Sequence, residues 1–203
     1  MITAEEIVEL AKRASKDSLA HGFRDNEHPA SRLSVKIACE VAEAVAAART
    51  GKKAVTAGYE QGKRFIQSTR LVRNKVLEVE KVYRDFIKDS IQDEMADVAI
   101  LLLVQIGHFH LQDESYEHAL AILADEDFKD SYAGRLNGDF VHDAGEVMKM
   151  VLVVEEPIES MLILKAWFNR EFPDEDFWYY VKEKMDYNRT RPYLHGYHYD
   201  MTV

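Results

Sequence analysis

Residues 90–106, SIQDEMADVAILLLVQI, contain the most apolar stretch of the chain. Ser90 followed by Asp93 is a capping pattern, which predicts a helix that begins here and continues to the end of the stretch. From Val98 onward the segment is apolar on every side, and a helix of that kind lies at the centre of a fold. The uncharged run, which ends at Gln112, is too short and too polar to span a bilayer. The sequence therefore predicts a buried central helix.

The segments on either side also have helical patterns. Thr3 with Glu6 forms a capping box, which starts a first helix that ends near residue 21. Further helices are predicted over residues 29–50 with Gly51 as the stop, 76–88, 115–124, 140–167 with a break at Pro157, and 174–188 with Asp174 as N-cap. No segment has a convincing strand pattern. We therefore expect an all-α fold, a bundle of six to eight helices that forms a single domain over residues 1–203.

The amino-acid composition and net charge of the chain make some classes of function less compatible with it than others. The chain has 203 residues, 47% of them hydrophobic, which is enough to bury a core, and its formal net charge is −10. This charge disfavours binding to a nucleic-acid polymer or an anionic membrane, but it is compatible with a small phosphorylated ligand. The single cysteine, Cys39, allows no disulfide within the chain, and the acidic start is unlike a signal peptide. We expect a cytoplasmic protein.

Two pairs of acidic residues occur within apolar helical segments. Glu40 and Glu43 lie in ACEVAEAV, and Glu94 and Asp97 lie in DEMADVAI. The i, i+3 spacing places both side chains of each pair on one helix face. If the two helices pack together, the four carboxylates share a partly buried space, and their repulsion requires protonation or a divalent cation.

A purely oxygen-based ligand set favours magnesium, with manganese also possible, over zinc. The alternative for any single Glu-x-x-Glu pattern is a solvated helix face. A further acidic group, formed by Glu155, Glu156 and Glu159, is interrupted by Pro157 and has no partner pair on an apolar helix. The sequence therefore places the metal site at the two upstream pairs.

The C-terminal region carries cations in an otherwise acidic chain. Lys184 and Asn188 lie four positions apart on one face of the last predicted helix, and Arg191 follows at its end. Lysine and arginine suit phosphate oxygens, although cations at a helix C-terminus can equally complement the helix dipole. Tyr187 is a candidate stacking surface for a base, and His195 stands at an accessible loop position.

Three parts of the sequence together resemble one family, the MazG-like nucleotide pyrophosphohydrolases of phages and bacteria. They are His21-Gly22-Phe23, the acid pairs within 40–44 and 94–98, and the run EKMDYNRTRPYLHG at 183–196. The last run is the most specific, because its order and spacing match over fourteen residues.

This resemblance implies an all-α bundle with antiparallel acid helices, usually assembled as a homodimer or tetramer. It implies that Mg²⁺ is bound by Glu40, Glu43, Glu94 and Asp97. It further implies that the nucleotide is contacted by Lys184, Asn188 and Arg191, and that aromatic residues such as Phe23 hold its base.

The chain also departs from compact members of this family. Glu43 and Glu94 lie 51 positions apart, and another long segment separates the second acid pair from the C-terminal run. We therefore expect inserted helices at about 51–90 and 108–166. Cys39 stands where a third acid is usual, directly before the first pair.

The resulting hypothesis is a magnesium-dependent enzyme that converts a nucleoside triphosphate and water to the monophosphate and pyrophosphate, with Glu43 as general base. The alternative is a catalytically inactive helical binding module with the same fold. A ferritin-like di-metal oxidase is disfavoured because no histidine completes a Glu-x-x-His pattern. A DNA-binding regulator is disfavoured because the chain is acidic and lacks a basic recognition helix.

Overall fold

A computed structural model describes residues 2–20, 30–109, 111, 120–124 and 132–191. The helices are α1 (Ala4–Ala20), α2 (Ala30–Thr50), α3 (Thr56–Ser68), α4 (Lys75–Phe86), α5 (Ile91–Phe109), α6 (Phe140–Lys149), a π-helical segment (Met150–Val154), α7 (Pro157–Glu171) and α8 (Phe177–Thr190). Residues 120–124 are also helical. Every regular element in these ranges is a helix, which confirms the all-α prediction.

Helix α5 lies at the centre of the fold. It packs against α1, α2, α7 and α8. Its side chains Val98, Leu102 and Ile106 are fully buried. At Gly107 the backbone of α1 comes so close that a Cβ atom would lie 2.3 Å from the Ala11 carbonyl oxygen. The prediction of a central helix from its all-round apolar character is therefore confirmed.

The long C-terminal helical pattern is divided as predicted. Helix α6 continues into the π-helical segment, and Glu155 then adopts a left-handed conformation with φ of 59°. Pro157 occupies the first turn of α7, where its missing N–H costs no hydrogen bond. Helix α7 is the second buried helix, since all residues from 161 to 168 are buried.

Three helix starts test the predicted caps. The Thr3 N–H donates to Glu6 at 2.9 Å and the Glu6 N–H donates to Thr3 at 3.2 Å, so the capping box is confirmed. The Ser90 hydroxyl accepts from the Asp93 N–H at 3.2 Å, as expected. The predicted Asp174 cap is wrong. Residues 173–175 form a turn, and the cap of α8 is Asp176, which accepts from the Trp178 N–H at 2.9 Å.

Helices α3 and α4 form a hairpin within the region 51–90. The hairpin closes tightly because α3 has a glycine at the contact: a Cβ atom on Gly62 would lie 2.6 Å from the Val82 side chain. The base of the hairpin is joined to α8, where the Tyr59 hydroxyl donates to Glu183 at 2.6 Å. A hydrogen bond of 2.6 Å also links Thr56 and Tyr180. This region is therefore held firmly at its base.

Within the described ranges, none of the helices combines sufficient length with a sufficiently apolar composition to cross a bilayer. The buried segment 98–106 of α5 is instead covered by its neighbouring helices.

Candidate functional site

Three of the four expected carboxylates meet between α2 and α5. Glu40 and Glu43 project from α2, and Glu94 projects from the first turn of α5. One carboxylate oxygen from each residue lies within 4.8 Å of the other two. The contact between α2 and α5 produces this cluster, because it brings together acids that are about fifty positions apart in the sequence.

The cluster carries negative charge that the protein does not neutralise. Burial, followed by repulsion from Asp97 and Glu43, raises the pKa of Glu40 to about 7. Burial and the Asp97 carboxylate likewise raise the pKa of Glu94 to about 8. Lys184 opposes both shifts without cancelling them. Near neutral pH the cluster therefore holds a proton or attracts a cation.

The surroundings of Asp97 differ from those of Glu40, Glu43 and Glu94. Its Oδ2 atom lies 2.7 Å from the Nζ atom of Lys184, with which it forms a salt bridge. The Asn188 side chain also hydrogen-bonds to this carboxylate. Asp97 lines the same cavity as the cluster, but its carboxylate is already partnered by two residues of α8.

Lys184 is buried rather than projecting into solvent. Its Nζ atom contacts Asp97 and also lies 2.8 Å from Asp93 Oδ2. Burial lowers the pKa of Lys184, but Asp97 and Asp93 outweigh burial and hold the pKa well above its ordinary value. The side chain is therefore a permanent cation at the cavity wall, fixed in place by two carboxylates.

Asp93 is the main site residue that sequence reasoning missed, because it was interpreted only as a capping position. Its side chain is buried and accepts from the Tyr83 hydroxyl at 2.6 Å and from the Asp89 N–H at 2.9 Å. One signal was available in the sequence. Asp93 lies four positions before Asp97, so both carboxylates share a helix face and can contact one cation.

A cavity of about 450 Å³ contains most of the predicted site residues. Its lining includes Glu40, Glu43, Glu94, Asp97, Lys184, Asn188 and Arg191. Two further cations, Lys36 and Lys88, line it and were not singled out from the sequence. Lys36 lies one turn before Glu40, and Lys88 forms an ion pair with Asp89. Cys39 is exposed and also lines the cavity.

The predicted aromatic residues are placed differently. The Tyr187 ring stacks on Tyr83 with centroids 4.4 Å apart, and it lines a separate cavity of about 280 Å³ next to the α3–α4 hairpin. Its buried ring is used in packing, so Tyr187 is not placed against the carboxylate cluster. Phe23 and His195 lie outside the described residues.

A magnesium ion suits the three-carboxylate cluster. Mg²⁺ prefers oxygen ligands at about 2.1 Å, which places opposite ligands about 4.2 Å apart. One carboxylate oxygen from each of Glu40, Glu43 and Glu94 lies within 4.8 Å of the other two, which is close to that spacing. Burial and the neighbouring Asp97 carboxylate raise the pKa of Glu40 and of Glu94, and a bound cation would favour their ionised forms.

Comparison of the chain with protein-family models, curated proteins and solved structures finds no match. The chemistry of this cavity is therefore inferred from its own residues. It brings together carboxylates suited to a hard cation and, on α8, cationic and amide side chains suited to phosphate oxygens.

Proposed function

We propose that this chain is a magnesium-dependent nucleoside triphosphate pyrophosphohydrolase. The observation that carries the proposal is the convergence of Glu40, Glu43 and Glu94 in a cavity that α8 lines with Lys184 and Arg191. Carboxylates and cations that line one cavity suit a ligand that is itself anionic and carries divalent metal. A nucleoside triphosphate with Mg²⁺ has both properties.

The reaction is attack of water on the α-phosphorus of the triphosphate. The new bond joins the water oxygen to the α-phosphorus, the bond from the α-phosphorus to the bridging oxygen breaks, and pyrophosphate leaves. Bound Mg²⁺ supplies charge neutralisation at the phosphate oxygens. Glu43 is the most exposed acid of the cluster, and it accepts the proton of the attacking water.

The cations of α8 stabilise the charge that develops during this reaction. Lys184 is held by Asp93 and Asp97, so its ammonium is oriented before the substrate binds. Arg191 lies at the end of α8 with its guanidinium 5.8 Å from the centre of the Tyr187 ring. From there its fork of N–H groups can bind phosphate oxygens.

The proposal is tested by neutralising single members of the cluster. We expect Glu43→Gln and Glu94→Gln each to reduce pyrophosphate release from a panel of deoxynucleoside triphosphates by at least about 100-fold, because charge stabilisation at the reacting phosphate is lost. The assay uses Mg²⁺, and phosphorus NMR identifies pyrophosphate as the product. Glu9→Gln, an exposed acid on α1, is the matched control. Unchanged turnover in Glu43→Gln would contradict the assignment.

One observation favours the second candidate, a catalytically inactive binding module. The salt bridge to Lys184 occupies an oxygen of Asp97 that the fourth metal ligand would use. Calorimetry with Mg²⁺ and with Mn²⁺ separates the two candidates when combined with the pyrophosphate assay. Metal binding without turnover of any triphosphate supports the inactive module, whereas metal-dependent turnover supports the enzyme.

A further inference from the structure

Tyr83 connects the α3–α4 hairpin to the cation that lines the cavity. This residue lies in the last turn of α4, is 1% exposed, and stacks its ring on Tyr187 of α8. Its hydroxyl donates to Oδ1 of Asp93 at 2.6 Å. The other oxygen of Asp93, Oδ2, lies 2.8 Å from the Nζ atom of Lys184. Two short polar contacts therefore join the hairpin to Lys184.

Both oxygens of the Asp93 carboxylate have donors from the protein itself. Oδ1 accepts from the Tyr83 hydroxyl. Oδ2 accepts from the Asp89 N–H at 2.9 Å and contacts the Lys184 ammonium. The carboxylates of Asp89, Asp93 and Glu94 also lie close enough to share a metal ion. Because the oxygens of Asp93 are already occupied, we assign this residue to holding Lys184 and not to binding a metal.

The hydrogen bond between Tyr83 and Asp93 has a fixed direction. Burial and the negative charge of Asp93 hold the pKa of Tyr83 well above its ordinary value, so the hydroxyl keeps its proton. An ionised carboxylate can only accept. The hydroxyl therefore donates, and it restrains the rotation of the carboxylate whose second oxygen contacts Lys184.

We propose that Tyr83 is a positioning residue for Lys184 in the hydrolysis of the triphosphate. This inference rests on the proposed function, in which the Lys184 ammonium stabilises charge on the reacting phosphate. The Tyr83 hydroxyl balances part of the charge on Asp93, so the ammonium stays shared between Asp93 and Asp97. Without the hydroxyl, Asp93 attracts the ammonium more strongly and displaces it in the cavity wall. A displacement of about 1 Å is enough to reduce turnover substantially.

Tyr59 provides a matched control for the loss of a buried tyrosine hydroxyl. It lies on the same hairpin, is also 1% exposed, and donates to a carboxylate at 2.6 Å. Its acceptor is Glu183, which forms an ion pair with Lys63 of α3. Tyr59→Phe and Tyr83→Phe therefore remove the same group at equal burial, but only Tyr83→Phe removes a donor from Asp93.

The first test measures pyrophosphate release by the full-length chain with Mg²⁺, after circular dichroism has checked that each variant is folded. We expect Tyr83→Phe to lower kcat by about 10-fold with KM unchanged, because the displaced ammonium stabilises the transition state less. Tyr59→Phe should leave kcat unchanged. In the Asp93→Asn background, Tyr83→Phe should cause no further decrease, since the hydroxyl acts through that carboxylate. Equal decreases for the two tyrosine variants, or an undiminished effect in Asp93→Asn, would overturn the proposal.

The second test observes Lys184 directly and needs no turnover. NMR of the metal-free chain, with isotope-labelled nitrogen in its lysines, detects the Lys184 ammonium, and the absence of this signal in Lys184→Arg identifies it. Tyr83→Phe should shift the signal, whereas Tyr59→Phe should leave it in place. A shifted signal together with a wild-type chain that releases no pyrophosphate would refute the proposed function and leave the positioning of Lys184 by Tyr83 supported. An unshifted signal in Tyr83→Phe would overturn the positioning role even if the chain is an active pyrophosphohydrolase.

Discussion

Lys184 shows at the residue scale how this fold accommodates a buried charge. Its side chain is 4% exposed and lies between the carboxylates of Asp93 and Asp97. The Tyr83 hydroxyl donates to Asp93 from the neighbouring hairpin, so this carboxylate has partners on two sides. One ammonium is thus shared by two buried carboxylates. The removal of Lys184 therefore leaves two carboxylates in the interior without their cation.

We predict that Lys184→Met lowers the free energy of unfolding by roughly 3–5 kcal/mol, because two buried carboxylates lose their cation. Urea unfolding followed by circular dichroism measures the change. Lys12→Met is the matched control, since its partner Glu9 lies 3.2 Å away on an exposed surface. That exposed pair should contribute less than about 1 kcal/mol.

A second substitution tests whether charge balance is the cause. Asp93→Asn in the Lys184→Met background should recover part of the lost stability, because it removes one of the unpaired carboxylates. Equal decreases in the free energy of unfolding for Lys184→Met and Lys12→Met would show that the buried ion pairs contribute no more to stability than the exposed pair. If the effects of the two substitutions on the free energy of unfolding are additive, the contribution of Lys184 does not depend on its contact with Asp93.

Individual site residues were predictable where spacing within one helix was informative. The sequence identified Glu40, Glu43 and Glu94 from acids in apolar surroundings, and the structure brings them together. Asp93 was not identified because its burial depends on contacts with Tyr83 and Lys184, which come from other helices. Spacing along one helix indicates that Asp93 and Asp97 share a face, but it does not identify the residues of other helices that contact them.

At the scale of elements, α1 and α5 approach each other closely where they cross at Gly107. Gly107 allows this approach, because a side chain there would clash with the Ala11 carbonyl and lie 3.0 Å from Ser15 Cβ. Backbone atoms cannot move aside as the end of a flexible side chain can. The separation of α1 and α5 is therefore set by a residue without a side chain.

We predict that Gly107→Ala destabilises the fold by about 1–3 kcal/mol, since the helices must move apart to admit the methyl group. Gly145→Ala is the control, because a Cβ atom at Gly145 in α6 meets nothing within 4 Å. This second change should be neutral or stabilising by up to about 1 kcal/mol through helix propensity. Thermal unfolding of both variants measures the difference, and equal effects would contradict the close approach.

Helix boundaries were predictable from local chemistry to different degrees. The capping box at Thr3 and the stop at Gly51, which has φ of 68°, are local signals that the structure confirms. The π-helical segment at 150–154 was not predicted, because nothing in its apolar sequence distinguishes it from α-helix. Helix α3 was only partly foreseen, since its glycines weaken the helical pattern and its packing on α4 compensates for them.

At the scale of the whole molecule, the carboxylate cluster links stability to pH and, under the proposed function, to metal. Glu40 and Glu94 have pKa values of about 7 and about 8, which lie above the ordinary value of 4.5. A raised pKa in the folded state means that the groups favour folding when they are protonated. Their contribution is complete below about pH 4.5 and is lost as the pH rises through about 7 to 8.

We therefore predict that the metal-free chain loses stability as the pH rises from about 5 to about 9, with Tm falling by roughly 4–8 °C through these groups. Added Mg²⁺ should restore Tm mainly above about pH 7, where the cluster is ionised. Glu94→Gln should weaken both the dependence of Tm on pH and the effect of Mg²⁺ on Tm. The prediction is contradicted if Tm of wild type and Glu94→Gln varies with pH in parallel.

The architecture as a whole was predictable only in outline. All-helical composition and the central α5 followed from the sequence, but the hairpin of residues 56–86 and its bonds to α8 did not. Those bonds depend on Tyr59 and Tyr180, whose partners lie 124 positions away in the chain.

The position of Cys39 at the cavity allows ion binding there to be followed with a label. It is the single cysteine of the chain, it is exposed, and it lies directly before Glu40 on α2. A nitroxide label attached to this thiol needs no other substitution. Paramagnetic Mn²⁺ bound by the three carboxylates would broaden its resonance spectrum, so ion occupancy becomes readable in solution without any turnover assay.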